Sequence, residues 1–295
     1  MTNYPPRAEA LVAAMSAAAA HAPGEAVAFQ GAPGAYSHQA VRELFPDAPV
    51  LPCLSFEDAL EAVQAGTVAR AVIPIENSLH GRVADVHFLL PESGLQIVDE
   101  HFVRVEHCLL GLGERLQIKR ALSHAQALGQ VRVRLRGWGI EPQIYFDTAA
   151  AAAAVAGDGD PSSGAIASAL AAELYGLKIL ERGVEDADHN TTRFVVLERA
   201  GRTPPDGPVM TSFTFAVRNV PAALFKALGG FATNGVNMTK LESYLRDGGF
   251  TAAEFYADIE GRPDDERVAR AMAELAFHTK WIKPHGTYRR ARPRG

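Results

Sequence analysis

The stretch "RAVIPIENS", residues 70–78, decides how this chain is read. Residues 71–75 are a continuous apolar run, the mark of a strand buried on both faces. The run stops at a carboxylate, an amide and a hydroxyl: Glu76, Asn77 and Ser78. The same figure recurs on either side. "AVAFQ" (26–30) leads through a Gly/Pro turn to a helix beginning near Ser37, and "VLPCL" (50–54) leads to Ser55 and the helix "FEDALEAVQAG". Ser55 with Asp58 three residues on approximates a capping box. "RAL" (120–122) ends at Ser123-His124, "PQIYF" (142–146) at Asp147-Thr148 before a run of alanines, and "GAIA" (164–167) at Ser168. Strands alternating with helices predict a mainly parallel sheet with helices on both faces.

In such sheets ligands bind beyond the carboxyl ends of the strands. Helix N-termini there offer unpaired N–H groups and a positive dipole end, which suits a small anion. Each Ser or Thr at these junctions has two readings, a helix cap or a ligand contact. "HNTTRFVVLE" (189–198) adds two threonines, an arginine and a phenylalanine at the mouth of another apolar strand. In a strand Thr192 and Phe194 share a face and Arg193 points the other way. There it would brace an acid such as Asp186 or Asp188, or else contact the ligand.

"ERAGRTPPDGP" (198–208) reads as a linker. Beyond it the rhythm changes. "MTSFTFAVRN" alternates as a strand, Pro221 opens a helix to Gly229-Gly230, and "NMTKLESYLR" is a second strand. "DGG" (247–249) makes a hairpin turn into "FTAAEFYADIE". Pro263 opens a second helix through Phe277, and "TKWIKPHGTY" closes as a strand. The order is βαββαβ, that of ferredoxin-like sheets. So small a sheet is expected to expose one face and an edge, which favours self-pairing.

Composition narrows the function. A chain of 295 residues with 47% hydrophobic and 21% charged residues fits about two globular domains. A net charge of -5 offers no basic face for nucleic acid. Cys53 and Cys108 cannot build a disulfide framework, so a reducing compartment is expected. No metal motif is found: HExxH is absent, and Glu106-His107-Cys108 are consecutive, which in a strand sends them to alternate faces. "ALVAAMSAAAAHA" (10–22) is read as a frayed Ala-rich leader within residues 1–25, not a secretion signal. No segment spans a membrane. "RRARPRG" (289–295) is read as a disordered basic tail.

Four separated motifs, "FQGAPGAYSHQA", "IPIENS", "LSHAQALGQ" and "NTTRF", followed by a βαββαβ module containing "KLESY", resemble prephenate dehydratase with a C-terminal ACT domain. The resemblance covers roughly residues 26–288. It implies a two-lobed, periplasmic-binding-protein-like α/β catalytic domain over 26–198, a linker at 199–209 and a ferredoxin-like ACT domain over 210–288. It also implies a cytoplasmic homodimer or homotetramer with no cofactor and no metal. The implied reaction takes prephenate to phenylpyruvate, water and carbon dioxide, in phenylalanine biosynthesis. Thr192 matches the family's essential threonine. Asn77, Ser123 and Gln130 match substrate-contacting positions, and Glu76 sits beside Asn77. Phe194 is expected to line a pocket for the ring. Ser37, Thr148 and Ser168 begin helices and are candidate carboxylate contacts. Arg193 is a substrate contact or, preferably, a brace.

The ACT resemblance implies control by phenylalanine, through Ala222, Ala223, Leu224, Asn237, Glu242 and Ser243. Here the usual Gly-Ala-Leu reads Ala222-Ala223-Leu224, and the usual Glu-Ser-Arg-Pro reads Glu242-Ser243-Tyr244-Leu245. Ala125 follows Ser123-His124 where many relatives have proline. Two other functions are compatible with this reading. One is arogenate dehydratase, whose substrate carries an amino group in place of the side-chain keto group. The other is a non-catalytic solute-binding protein, since fold alone does not fix function.

Overall fold

The apolar run at 70–75 lies at the centre of a sheet. In the computed structural model, which describes residues 4–204, 206–218, 220–244 and 254–293, the chain opens with helix α1 (Pro6–His21). It continues through β1 (Val27–Gln30), α2 (Tyr36–Leu44), β2 (Val50–Cys53), α3 (Phe56–Gln64), β3 (Arg70–Asn77), β4 (Gly81–Arg82), α4 (Ala84–Ser93) and β5 (Gln96–Arg104). Next come β6 (Cys108–Gly111), β7 (Arg120–His124), α5 (Ala125–Gln130), α6 (Arg132–Trp138), β8 (Glu141–Tyr145), α7 (Thr148–Asp158), β9 (Ser163–Ala167), α8 (Ala169–Tyr175), β10 (Lys178–Arg182) and β11 (Thr191–Glu198). The last stretch holds β12 (Val209–Val217), α9 (Ala223–Thr233), β13 (Met238–Tyr244), β14 (Glu254–Glu260), α10 (Glu266–His278) and β15 (Thr279–Arg289).

Two compact units result, and neither is contiguous in sequence. One holds the residues up to Val86 together with His101–Phe194; the other holds His87–Glu100 and the residues from Val195 onward. The stretch 26–198 expected as one domain is divided between these units, with His87–Glu100 grouping by contacts with the residues from Val195 onward.

One sheet runs β2-β1-β3-β11-β5, with β4 paired to β3. β1 is parallel to β2 and β3, as the alternation predicts. The next sheet runs β10-β6-β9-β7-β8. It is mixed: β7 is parallel to β8 and β9, but β6 is antiparallel to β9 and β10. Its period of two sorts the core. Cys108, Leu110, Ala165 and Ala167 join α7 and α8, while Leu109 and Ile166 join Leu128, Val131 and Leu135 of α5 and its surroundings.

The N-terminal segment is not frayed. α1 packs against β2 and α7, and Ala8 and Ala19 are buried. Ala149–Ala153 of α7 are buried as well, so methyl-sized side chains line that contact. Tyr4 Oη donates to Gly31 O at 3.4 Å. The turn after β1 needs glycine. Gly34 has φ +94°, and a Cβ there would lie 2.8 Å from Ala171 Cα in α8.

The C-terminal sheet runs β13-β14-β12-β15, all neighbours antiparallel, with α9 and α10 on one face. This is the expected βαββαβ order. The second face is not exposed as the small-sheet argument predicted. All nine residues of β12 are buried. Its polar side chains face others of the same unit: Ser212 Oγ lies 2.5 Å from Asp258 Oδ1 and 2.6 Å from Tyr288 Oη. Segment 87–100 supplies the cover. His87 Nδ1 meets Tyr244 Oη at 2.5 Å, and Gly286 sits so close to Ile97 that a Cβ would lie 2.2 Å from its carbonyl oxygen. Arg290 N–H donates to Pro208 O and Ala291 N–H to a Glu100 carboxylate oxygen, so the basic tail begins in contact with this unit. The hairpin read at 247–249 and Leu245 lie outside the described residues. Pro221 and Pro263 stand in the turns before α9 and α10 and do not open them. Among the described residues no helix is long and apolar enough to cross a membrane.

Before α9, Ala222 sits at φ 62°, the one non-glycine residue at positive φ among those described. A left-handed alanine costs about 1 kcal/mol relative to glycine. Ala222→Gly is therefore expected to raise the urea midpoint of the C-terminal unit by the equivalent of roughly 0.5–1 kcal/mol. His38 generates a second expectation. It stacks on Phe29, accepts the Gly34 N–H at 3.1 Å through Nδ1, and burial, with Arg42 nearby, pushes its pKa down to about 4. The folded state therefore holds it neutral where the unfolded chain, near 6.5, binds a proton. Its contribution is complete above pH ~6.5 and is lost as pH falls toward about 4. Urea titrations across that window are expected to show this slope, and His38→Gln to flatten it.

Candidate functional site

β3 ends at Asn77, and the next three residues determine what its side chain does. Asn77 Oδ1 accepts the N–H groups of Leu79 at 3.0 Å and His80 at 3.1 Å, a turn typical of Asn. Its Nδ2 donates to Asn190 Oδ1 at 2.7 Å and to Thr192 Oγ1 at 3.0 Å. The start of β11 is stitched to the same turn. Ser78 N–H donates to Thr191 O at 2.9 Å, Thr191 N–H to Ser78 Oγ at 2.9 Å, and Ser78 Oγ to His189 O at 2.8 Å. Residues more than a hundred positions apart are thereby fixed side by side.

They line a cavity of about 440 Å³. Of the residues expected from sequence, Asn77, Gln130, Thr192, Phe194, Ser37 and Thr148 border it. The strand period holds: Thr192 and Phe194 border the cavity, and Arg193 turns away and is 1% exposed. Its acid is Glu76, with Nη1 3.0 Å from Oε1, and not Asp186 or Asp188. Asp186 instead accepts the Val133 and Arg134 N–H groups at the start of α6. Glu76 and Arg193 are absent from the cavity wall, so the guanidinium braces β3 to β11.

Two further candidates, like Glu76 and Arg193, are not brought to the cavity. Ser123 is fully buried and donates to Ile166 O at 2.6 Å, tying β7 to β9. Ser168 caps α8, accepting the Ala171 N–H at 3.1 Å, and donates to Gly34 O at 2.6 Å. For both, the short hydroxyl met a backbone carbonyl before it could meet a ligand. Ser55 likewise caps α3 in a full capping box with Asp58. At Thr148 the cap is Asp147, which accepts the Ala150 N–H at 2.7 Å; burial raises its carboxyl pKa, offset by backbone N–H bonds. α2 alone of these starts without a side-chain cap. Its first N–H groups, beside Ser37, suit a carboxylate.

The structure adds residues that pattern reading missed. Asn190 is buried and donates to Gln130 Oε1 at 2.9 Å. His107 Nε2 meets the same oxygen at 2.6 Å, and Tyr36 Oη lies 2.8 Å from His107 Nδ1. Gln130 Nε2 lies 2.9 Å from His80 Nε2. Burial lowers the His107 pKa and holds the Tyr36 phenol well above its usual value. Asn190 and Tyr36 stood inside quoted motifs. His107 was weighed only as a metal ligand.

Of the effector candidates, Ala223 and Leu224 pack into the apolar core of the C-terminal unit. Ala222 and Asn237 are exposed, and Glu242 pairs with Lys240 at 3.2 Å. Ser243 is exposed on β13, while Tyr244 is buried against His87.

A buried guanidinium that loses its carboxylate is costly. Glu76 is partly exposed, so Glu76→Gln is expected to destabilise the fold by roughly 2 kcal/mol, less than the roughly 3–5 kcal/mol of a wholly buried pair. Chemical denaturation measures it directly.

The chain is similar to known proteins of one family. The family described as Prephenate dehydratase matches residues 27–202. A bifunctional N-acyl-homoserine lactone acylase/prephenate dehydratase of Komagataeibacter europaeus is 51% identical over 89% of this chain and 95% of its own length. An arogenate dehydratase/prephenate dehydratase of Arabidopsis thaliana is 39% identical over 89% of this chain and 71% of its own. The crystal structure of a prephenate dehydratase from Arthrobacter aurescens in complex with L-Phe superposes with a TM-score of 0.83 at 30% identity, covering 90% of each chain. With the family pattern spanning more than half the sequence and close relatives aligned nearly end to end, the chain belongs to the prephenate dehydratase family of lyases.

Proposed function

We propose that this protein is a prephenate dehydratase. The observation that carries the reading is the Asn77 Nδ2–Thr192 Oγ1 hydrogen bond of 3.0 Å on the cavity wall. Thr192 Oγ1 accepts from Asn77, and among the described residues its own O–H has no protein acceptor. That hydrogen is available to the departing hydroxyl of the substrate.

In the proposed reaction the bond between the ring and its carboxylate breaks. Its electron pair moves into the ring, the carbon–oxygen bond to the ring hydroxyl breaks, and the hydroxide leaves as water with a proton. A threonine hydroxyl is a weak acid, so its part is pre-oriented hydrogen-bond donation to the developing charge. Ser37, with the uncapped start of α2, and Thr148 would hold carboxylate oxygens, with Gln130 and Asn77 as further polar contacts. Phe194 presents an apolar wall to the ring and limits solvation of the carboxylate that leaves. Ser123, Ser168, Glu76 and Arg193 support the frame that carries these groups.

We assign residues 26–198 to catalysis, 199–209 to a linker and 210–288 to an ACT module that binds phenylalanine, with prephenate as substrate and a homodimer or homotetramer as the assembly. The L-Phe complex of the Arthrobacter relative and the βαββαβ order support the module. A second reading, arogenate dehydratase, is favoured by the double name of the Arabidopsis relative. The acylase named in the Komagataeibacter relative is a third activity to assay.

Purified protein supplied in turn with prephenate, arogenate and an N-acyl-homoserine lactone decides among them. The expected result is phenylpyruvate from prephenate at the highest kcat/KM. Thr192→Val keeps shape and deletes the hydroxyl, and kcat on prephenate should fall roughly 10²–10³-fold, the usual cost of one oriented donor. A near-unchanged kcat would remove the hydroxyl from the mechanism. Phenylalanine added to the assay should change the rate, and no response at any concentration discards the effector assignment.

A further inference from the structure

We infer that His107, carrying its proton on Nε2, and Tyr36 behind it are positioning residues for the Thr192 hydroxyl. The inference rests on the proposed role of that hydroxyl. It follows from the direction in which the hydrogen bonds must run.

Backbone N–H groups can only donate. Those of Leu79 and His80 point at one end of the Asn77 amide, so that end is the oxygen. The other end is the NH₂, and its two hydrogens go to Asn190 Oδ1 and Thr192 Oγ1. With its oxygen so used, Asn190 turns its own NH₂ to Gln130, and the atom it meets at 2.9 Å is Oε1. That oxygen only accepts. Its 2.6 Å contact with His107 Nε2 therefore needs a hydrogen on Nε2. Burial disfavours the doubly protonated ring, which leaves a lone pair on Nδ1. The Tyr36 hydroxyl lies 2.8 Å from that lone pair and 2.9 Å from the Glu106 carbonyl oxygen, so its one hydrogen is divided between two acceptors. Gln130 is held at its other end too, where Nε2 donates to His80 Nε2 at 2.9 Å. The His107 ring is fixed in turn by its own main chain, whose N–H donates to Glu185 Oε2 at 2.9 Å.

One turn of backbone thus sets the proton direction through Asn77, Asn190, Gln130 and His107, with Tyr36 bridging His107 Nδ1 and the Glu106 carbonyl beyond them. At the near end a lone pair of Thr192 is occupied and its hydrogen is free for the cavity. The alternative arrangement is frustrated. With the proton on Nδ1, Nε2 becomes an acceptor and Gln130 must present NH₂ to it. That NH₂ then faces the Asn190 NH₂, donor against donor, and Asn190 cannot turn because Asn77 cannot. The conflict would disturb the Asn77 amide and with it the aim of Thr192.

The test has an arm that needs no activity. ¹⁵N NMR of the intact protein near pH 7.5 should show His107 with a pyrrole-type Nε2 and a pyridine-type Nδ1. A proton on Nδ1 overturns the inference, whether or not prephenate proves to be the substrate. The kinetic arm uses His107→Gln, whose amide NH₂ stands where Nε2–H stood, and His107→Leu, which has no donor. On prephenate, His107→Leu should lose about tenfold or more in kcat with KM changed by less than about twofold, as expected for a misaimed group. His107→Gln should recover most of that loss. Tyr36→Phe should lower kcat without moving KM, and it replaces His107→Leu if that variant does not fold. Equal losses in the Gln and Leu variants, or none in either, leave His107 a packing residue and sink the proposal. A wild-type protein inert toward prephenate would instead defeat the functional reading, while the tautomer measurement still decides the direction of the chain.

Discussion

The Asn77 carbonyl oxygen takes two backbone N–H groups from its own turn, and the arrangement of the site depends on that constraint. An amide side chain free to rotate by half a turn would offer oxygen or nitrogen indifferently. Here the backbone removes the choice at no cost in side-chain charge. The bonds from Ser78 to the start of β11 add the second half of the constraint, since they fix where Thr192 stands relative to that amide. Asn77, Asn190 and Gln130 are neutral dipoles whose orientations are not independent of one another.

In the proposed reaction a negative group must depart. Neutral donors placed on one side discriminate by position and not by overall charge. The arginine of the β11 motif illustrates the division of labour. It is the most basic group in the motif, yet it lies on the far side of the strand against Glu76, where its task is to keep two strands together.

The sequence made legible what depends on period and punctuation. The alternation at 192–194 placed Thr192 and Phe194 on one face and Arg193 on the other, because a strand leaves no other option. The apolar runs located β1, β3, β7, β8 and β9 for the same reason. What escaped depended on distance in the chain. Ser123 and Ser168 have the chemistry of ligand contacts, and only the fold reveals that Ile166 and Gly34 offer their carbonyls first. His107 gave no local signal, since its partners come from positions 36 and 130. Segment 87–100 was read as part of the first domain because sequence order is a poor guide to which sheet covers which residues. That segment instead meets the C-terminal sheet, where His87 reaches Tyr244 of β13.

The seam between α1 and α7 has an implication for the molecule's edge. The two helices meet through Ala8 and the buried alanines of α7, with Leu11, Val12 and Val155 in the same cluster. Tyr4 adds a polar tie from beyond the helix start, with its ring buried and its hydroxyl on the Gly31 carbonyl. It lines a small recess shared with Gln30, Phe146 and Asp147, three residues that also border the main cavity. The lip of the cavity therefore shares residues with the recess that Tyr4 fills, and a substitution at Tyr4 reaches the cavity through Gln30, Phe146 and Asp147.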